Sequence, residues 1–323
     1  MSDSLDKHTS ESYDLPLVGR FAPSPSGRMH VGNLLSFMIA YIRAYKSGGY
    51  CMLRIEDLDP SRSKQCFIDQ IMRDLEWFGF QWSGEVVFQS RRTSAYEEAF
   101  EELKEKHLIY PCFCTRADLH AAQAPHSGEE FIYQGTCKNL TRLEIEEKAR
   151  VRNPAYRLIV NNEKVTICDV FQSISTSVLS ESSGDFIIKR SDGVFAYQLA
   201  VVVDDAYQGV TDVCRGVDLL PSSFRQQYLQ NLLGYSHVSY AHVPLFVDSL
   251  GRRLSKRNND ASLDYLINHL RLTSNQIIGY IAYSARLIDA WESLSLDDLV
   301  NECSLDSLQN KTQLVWTSPK LSV

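Results

Sequence analysis

No stretch of this 323-residue chain is apolar for long enough to span a bilayer. The first sixteen residues are polar and contain neither an apolar core segment nor an arginine. They do not read as a secretory or transit leader, and residues 1–16 are expected to form a disordered tail. Positive charge is not in excess. The 33 Lys and Arg stand against 40 Asp and Glu, a net charge of −7 with a pI near 5.7. That excludes a polycation that coats nucleic acid with its whole surface. Any RNA contact has to use a local positive field, and most of the charges read as solvated surface. The eight cysteines lack the spacing of a disulfide framework, which points to a reducing compartment, the cytoplasm. Internal repeats and low-complexity segments are missing as well.

The chain is 44% hydrophobic and 23% charged. It is long enough to bury a sizeable core and to hold two or three subdomains. Leu17–Phe21 reads as a buried strand. Leu34, Leu35, Met38, Ile42 and Tyr45 recur at helical spacing and predict a helix over Leu34–Lys46 that starts near Asn33 and is ended by Gly48-Gly49. Tyr50–Ile55 returns as a strand, which completes a βαβ unit. Helices are expected over Phe67–Phe78 and Ser94–Lys106. From Pro111 the pattern changes: residues 111–150 are turn-rich, then polar and helical, the mark of an insertion. Strands follow at Tyr156–Val160, Val165–Val170 and Phe186–Lys189. Phe195–Val203, Asp212–Gly216 and a helix over Ser222–Leu233 rebuild an α/β half. Val243–Val247 reads as a last strand and Asp264–Ala290 as a closing helical region.

Two distant segments carry phosphate chemistry. Arg20-Phe21-Ala22-Pro23-Ser24-Pro25-Ser26-Gly27, followed by His30-Val31-Gly32-Asn33, is a strand end, a turn and a helix start. A helix N-terminus offers free N–H groups and partial positive charge to an anion, and Gly32 permits close approach to the backbone. Arg253-Leu254-Ser255-Lys256-Arg257 is a basic loop whose lysine can reach a phosphate. Taken singly, His30 would be a structural histidine and the basic loop a solvated turn. Paired, they describe an ATP site with His30, Gly32, Asn33, Ser255 and Lys256 around the phosphates. Mobile cations that engage those phosphates best in the transition state lower the barrier, so Lys256 and His30 are the catalytic candidates.

These strings resemble the HIGH and KMSKS motifs of class I aminoacyl-tRNA synthetases. Arg20–Gly27 and Leu53-Arg54-Ile55-Glu56-Asp57-Leu58-Asp59-Pro60-Ser61-Arg62 look specifically like the glutamyl branch. Four matching segments in one order, across Val18–Asp260, resemble its shortened members, the glutamyl-queuosine tRNA(Asp) synthetases. In the basic loop Arg253 stands where KMSKS has its first lysine, and Arg257 where it has its last serine.

The resemblance implies a Rossmann-type α/β nucleotide-binding fold with a zinc-containing insertion and a short helical C-terminal subdomain. The expected divisions are 17–110 and 186–250 for the two catalytic halves, 111–185 for the insertion, and 251–323 for the loop and helical end. It places glutamate on Arg20, Ser24, Glu56, Tyr197 and Arg215. Two arginines can fork onto the carboxylates of glutamate and Glu56 can pair with its ammonium. The competing reading of these charges is internal pairing, such as Arg54 with Asp57. Cys112, Cys114 and Cys137 offer three corners of a zinc site. On composition the fourth ligand would be His120 or His126, whereas the family places tyrosine there, which matches Tyr133. Cys51, Cys66, Cys168, Cys214 and Cys303 read as small core residues.

The implied activity is activation of L-glutamate by ATP, with Mg, and its transfer to queuosine in the anticodon loop of tRNA(Asp) by a monomer. The segment after Lys256 is shorter than the roughly 100 residues an independent anticodon reader needs. The alternatives are a minimal synthetase that charges a tRNA 3′ end, and a non-catalytic RNA-binding paralogue.

Overall fold

The computed structural model describes residues 15–115, 118, 132–252, 254, 261–317 and 319. Most of the expected tail therefore lies outside the described residues. Strand β1 (Val18–Phe21) leads into α1 (Val31–Lys46), β2 (Tyr50–Ile55), α2 (Gln65–Phe78), the short β3 (Val87–Phe88) and α3 (Thr93–Glu105). All three strands are parallel, in the order β1-β2-β3. Helix α1 is buried along nearly its whole length, Leu34, Leu35, Met38 and Ile42 included. Its return to β2 needs Gly49, where a Cβ would collide with the Leu17 carbonyl.

Then come β4 (Ile109–Cys112), α4 (Arg142–Val151), β5 (Ala155–Leu158), β6 (Lys164–Asp169), β7 (Ser173–Val178) and β8 (Phe186–Lys189). β4, β5 and β8 form a separate antiparallel sheet. β6 and β7 form a hairpin whose β6 joins the parallel pair β9 (Asp212–Gly216) and β10 (Ser239–Val243). Helices α5 (Tyr197–Tyr207) and α6 (Leu220–Leu233) flank β9. Thr211, just before β9, donates its N–H to the Val18 carbonyl at 2.9 Å and accepts the Val18 N–H on its hydroxyl. The two sheets thus meet edge to edge in the order β3-β2-β1-β9-β10-β6-β7. A bidentate ion pair from Arg43 of α1 to Asp212 of β9, both buried, ties the halves together.

The structure corrects several expectations. α1 begins at Val31, before Asn33, because His30 caps it. Phe195–Val203, whose sequence pattern assigns no element type, is mostly helix, in α5. Val243–Val247 is broken by Pro244, which cannot donate to a ladder; β10 ends there, and β11 (Leu245–Val247) pairs instead with β12 (Gln313–Val315) near the end of the chain. β7 was not expected, since its Ser/Thr-rich sequence has little apolar alternation. The 264–290 region is interrupted: a π-helical turn at Tyr265–His269 precedes α7 (Ser274–Ser284), and α8 (Leu296–Glu302) follows. Cys66 and Cys168 are exposed, whereas Cys51, Cys214 and Cys303 are buried as expected. No helix among the described residues is long and apolar enough to cross a membrane.

Candidate active site

A cavity of about 470 Å³ opens where β1 and β9 lie side by side, at the carboxyl ends of the strands. In open α/β sheets this switch in strand order is where ligands bind, because the loops leave the sheet in opposite directions. Arg20, Ser24, His30, Gly32, Asn33, Glu56, Tyr197 and Arg215 all line it. Every expected glutamate-site residue and the described part of the expected ATP site therefore share one cavity.

The α1 end of the cavity is a capped helix N-terminus. His30 Nδ1 accepts the Gly32 N–H at 3.1 Å, and the Asn33 side-chain oxygen accepts the His30 N–H at 3.1 Å, a reciprocal capping box. A Cβ at residue 32 would lie 3.0 Å from the His30 ring, so glycine leaves room for the cap as well as for a ligand. Arg253, Ser255, Lys256 and Arg257 lie outside the described residues. Of the neighbouring residues, Leu254 lines the cavity and Ser262 forms an isolated β-bridge with His30.

On the β1–β2 side, Arg20 donates from Nε to Asp205 at 3.1 Å, and Arg54 donates to the same carboxylate at 2.7 Å. Arg54 also reaches Glu56 at 3.4 Å. The Arg54–Asp57 pair does not form; Asp57 accepts from the Ser90 N–H and hydroxyl instead. Burial pushes the Glu56 carboxyl up, and Arg54 and Arg20 only partly offset it.

On the β9 side, Arg215 is 5% exposed. It donates from Nε to His242 Nε2 at 3.2 Å, from Nη1 to the Tyr197 hydroxyl at 3.1 Å and from Nη2 to Ser223 Oγ at 2.7 Å. Among the described residues it has no carboxylate partner. His242 contacts Asp169 through Nδ1, and its backbone N–H donates to the same carboxylate. Burial, the largest cause, and the Arg215 charge push the His242 pKa down against the Asp169 hydrogen bond; Nε2 accepts from Arg215, which leaves the proton of a neutral ring on Nδ1, toward Asp169. For Asp169, burial opposes ionisation, but His242 and the backbone N–H groups hold the carboxyl below its ordinary range.

Sequence reasoning missed Asp205, His242 and Ser223. The readable signal was Asp204-Asp205 inside an otherwise apolar helix, since buried carboxylates need cations. His242 and Ser223 gave no signal of their own.

A second cluster lies at the end of β4. The Sγ atoms of Cys112, Cys114 and Cys137 are within 4.8 Å of one another. The Tyr133 hydroxyl lies 3.4 Å from Cys112 Sγ and 3.7 Å from Cys114 Sγ, and accepts the Cys137 N–H at 2.9 Å. Arg157 donates to Cys112 Sγ at 3.3 Å and stacks its guanidinium over the Tyr133 ring. Although burial opposes it, Tyr133 and Arg157 hold the Cys112 thiol below its ordinary value. Three sulfurs and a phenol oxygen at these separations fit a metal ion, for which tetrahedral sulfurs sit about 3.8 Å apart. His120 and His126 lie outside the described residues.

The model of the class I tRNA synthetase (E and Q) catalytic domain matches residues 16–282. The chain belongs to this family, and is thus an ATP-using ligase. Its similar relatives include the "Glutamyl-Q tRNA(Asp) synthetase" of Neisseria meningitidis serogroup C, 41% identical over 82% of this chain and 88% of the relative. The protein of the same name from Geobacter sulfurreducens is 46% identical over 77% of this chain and 78% of its own length. The crystal structure of a glutamate-tRNA synthetase from Elizabethkingia anophelis superposes with a TM-score of 0.80 at 22% identity, over 93% of this chain and 68% of that one, and shares the fold.

Proposed function

We propose that this chain activates L-glutamate with ATP in the absence of tRNA, then transfers it, as a monomer, to queuosine at the wobble position of tRNA(Asp). The observation that carries the glutamate half is Arg215, a buried cation whose described partners are all uncharged. A desolvated guanidinium without an anion costs several kcal/mol, and a substrate carboxylate at the cavity offsets that cost. Arg20 supplies a second guanidinium, Glu56 an anion for the substrate ammonium, and Tyr197 and Ser24 neutral hydrogen bonds. The His30–Gly32–Asn33 cap, Ser255 and Lys256 serve the phosphates of ATP, bound with Mg. A glutamate carboxylate oxygen attacks the α-phosphorus, pyrophosphate leaves, and AMP leaves when queuosine attacks the resulting acyl adenylate. Segments 17–110 and 186–250 act as the two halves of the catalytic body, the segment 111–185 between them lends its β6–β7 hairpin to the same sheet, and 251–323 is the loop and C-terminal region.

Glutamate-dependent exchange of pyrophosphate into ATP without tRNA tests the activation step. Exchange is expected with glutamate alone; a strict requirement for tRNA would overturn this step. Glu56→Ala and Arg215→Ala are each expected to raise the glutamate KM about ten- to a hundredfold, the worth of a hydrogen-bonded charge, with a far smaller change for ATP. Equal effects on both substrates would make these side chains structural.

Cys112, Cys114, Tyr133 and Cys137 would hold one zinc ion, whose chemistry there is structural: it cross-links the end of β4 to the segment around Tyr133. Metal binding of this kind is coupled to local folding. Cys112→Ser is expected to lose the zinc and loosen the insertion while the parallel sheet survives. Metal analysis of wild type and variant, with proteolysis of each, checks this; a wild-type protein purified without chelator and carrying well under one zinc per chain would refute it.

A further inference from the structure

Arg215 makes no ion pair with a described carboxylate, although Asp218 lines the same cavity, and the Asp169 carboxylate stands one imidazole away. The cause is strand register. In the parallel pair β9–β10, His242 lies directly opposite Arg215, and Tyr240 lies opposite Asp169 at the end of β6. Asp169 reaches His242 diagonally, two residues along β10, so that Asp169, His242 and Arg215 are linked in series across three strands, with the His242 and Asp169 side chains fully buried. His242 donates from Nδ1 and accepts at Nε2 from Arg215, while Ser223 lies within hydrogen-bond distance of both His242 and Arg215.

We propose that His242 is a positioning residue for glutamate recognition: it fixes the Arg215 guanidinium at the cavity while holding the Asp169 carboxylate off it. This rests on the reading of Arg215 as a glutamate contact. An acidic residue in direct contact with Arg215 would aim it equally well, but would also compete with the substrate carboxylate. A neutral ring with a defined tautomer supplies an acceptor for Nε and leaves the guanidinium charge for the ligand. Asp169 sets that tautomer, as a carboxylate behind a ligating or catalytic histidine does elsewhere. The β6–β7 hairpin thereby contributes to substrate recognition without lining the cavity, through a residue two side chains removed from it.

Two polar variants of similar size separate this from a packing role. His242→Gln keeps an acceptor near the Nε2 position, whereas His242→Asn is too short to present one to Arg215. With glutamate and ATP varied separately in pyrophosphate exchange, His242→Asn is expected to raise the glutamate KM about tenfold or more, the worth of one charged hydrogen bond. Its ATP KM should stay within about twofold, and its kcat should fall less than the glutamate KM rises. His242→Gln is expected to remain within about threefold of wild type on all three. Asp169→Asn, which frees the ring tautomer, should raise the glutamate KM selectively as well, and serves if His242→Asn melts below the assay temperature. Equal effects of Gln and Asn, parallel rises in both KM values, or no effect of Asp169→Asn would overturn the positioning role while leaving Arg215 in place. Arg215→Ala, run alongside, distinguishes that outcome from failure of the glutamate reading itself. An unchanged glutamate KM in Arg215→Ala would remove both.

Discussion

Given ATP and labelled glutamate, the purified protein is expected to label tRNA(Asp) that carries queuosine, and to leave the same transcript without the modification unlabelled. The difference should be all or none, because queuosine supplies the attacking group. Ribonuclease digestion should place the label in the anticodon fragment. Base-directed chemistry needs a nucleotide that can leave its stack, and an anticodon loop offers one without the need to open a helix. The expectation draws on membership of the E and Q family and on similarity to relatives that bear the Glutamyl-Q name. Efficient glutamylation of unmodified tRNA(Glu) at its 3′ end would replace it with the minimal synthetase. A chain that binds tRNA yet never consumes ATP would replace it with the RNA-binding paralogue.

Lys256→Ala is expected to keep the fold and to reduce pyrophosphate exchange about a hundredfold or more, the usual cost of removing one group aimed at developing charge. The effect should fall mainly on kcat, since a cation that engages the phosphates best at the pentavalent phosphorus stabilises the transition state more than the bound substrate. Two described residues of the same segment border the site: Leu254 lines the cavity, and Ser262 bridges to His30, the cap of α1. Arg253 and Arg257 keep positive charge at the flanks of the loop, but they carry a planar fork in place of an ammonium or a hydroxyl. Exchange near the wild-type rate in Lys256→Ala would refute the role.

Much of this site could be read before any coordinates. The turn from Arg20 to Gly27, the histidine cap and the acidic end of β2 are local patterns, and the cavity gathers residues from all of them. Where the sequence misled, longer-range physics decided. Pro244 splits one apolar run into two strands that join different sheets. β7 pairs along its whole length with β6 despite a Ser/Thr-rich sequence, because a hairpin needs ladder partners more than apolar alternation. The expected Arg54–Asp57 pair fails for the same reason: Asp57 is three residues away, but distant Asp205 takes the short bond and Glu56 a longer one. His242 is invisible in sequence because its importance comes from lying opposite Arg215, and register is a property of two strands.

The carboxylate that Arg20 and Arg54 share bears on the order in which the protein acquires its competence. Asp205 lies 185 positions after Arg20 and 151 after Arg54. As the chain leaves the ribosome, both arginines emerge long before their counter-charge. Until α5 arrives, two cations destined for burial have to stay hydrated, which disfavours premature collapse of the first βαβ unit into a closed, dry core. Closing contacts so distant in sequence carries a large loop-entropy cost that has to be met before they stabilise the fold. The pocket floor therefore depends on the joining of the two half-sheets, and a truncated chain that ends before α5 is expected to bind no glutamate.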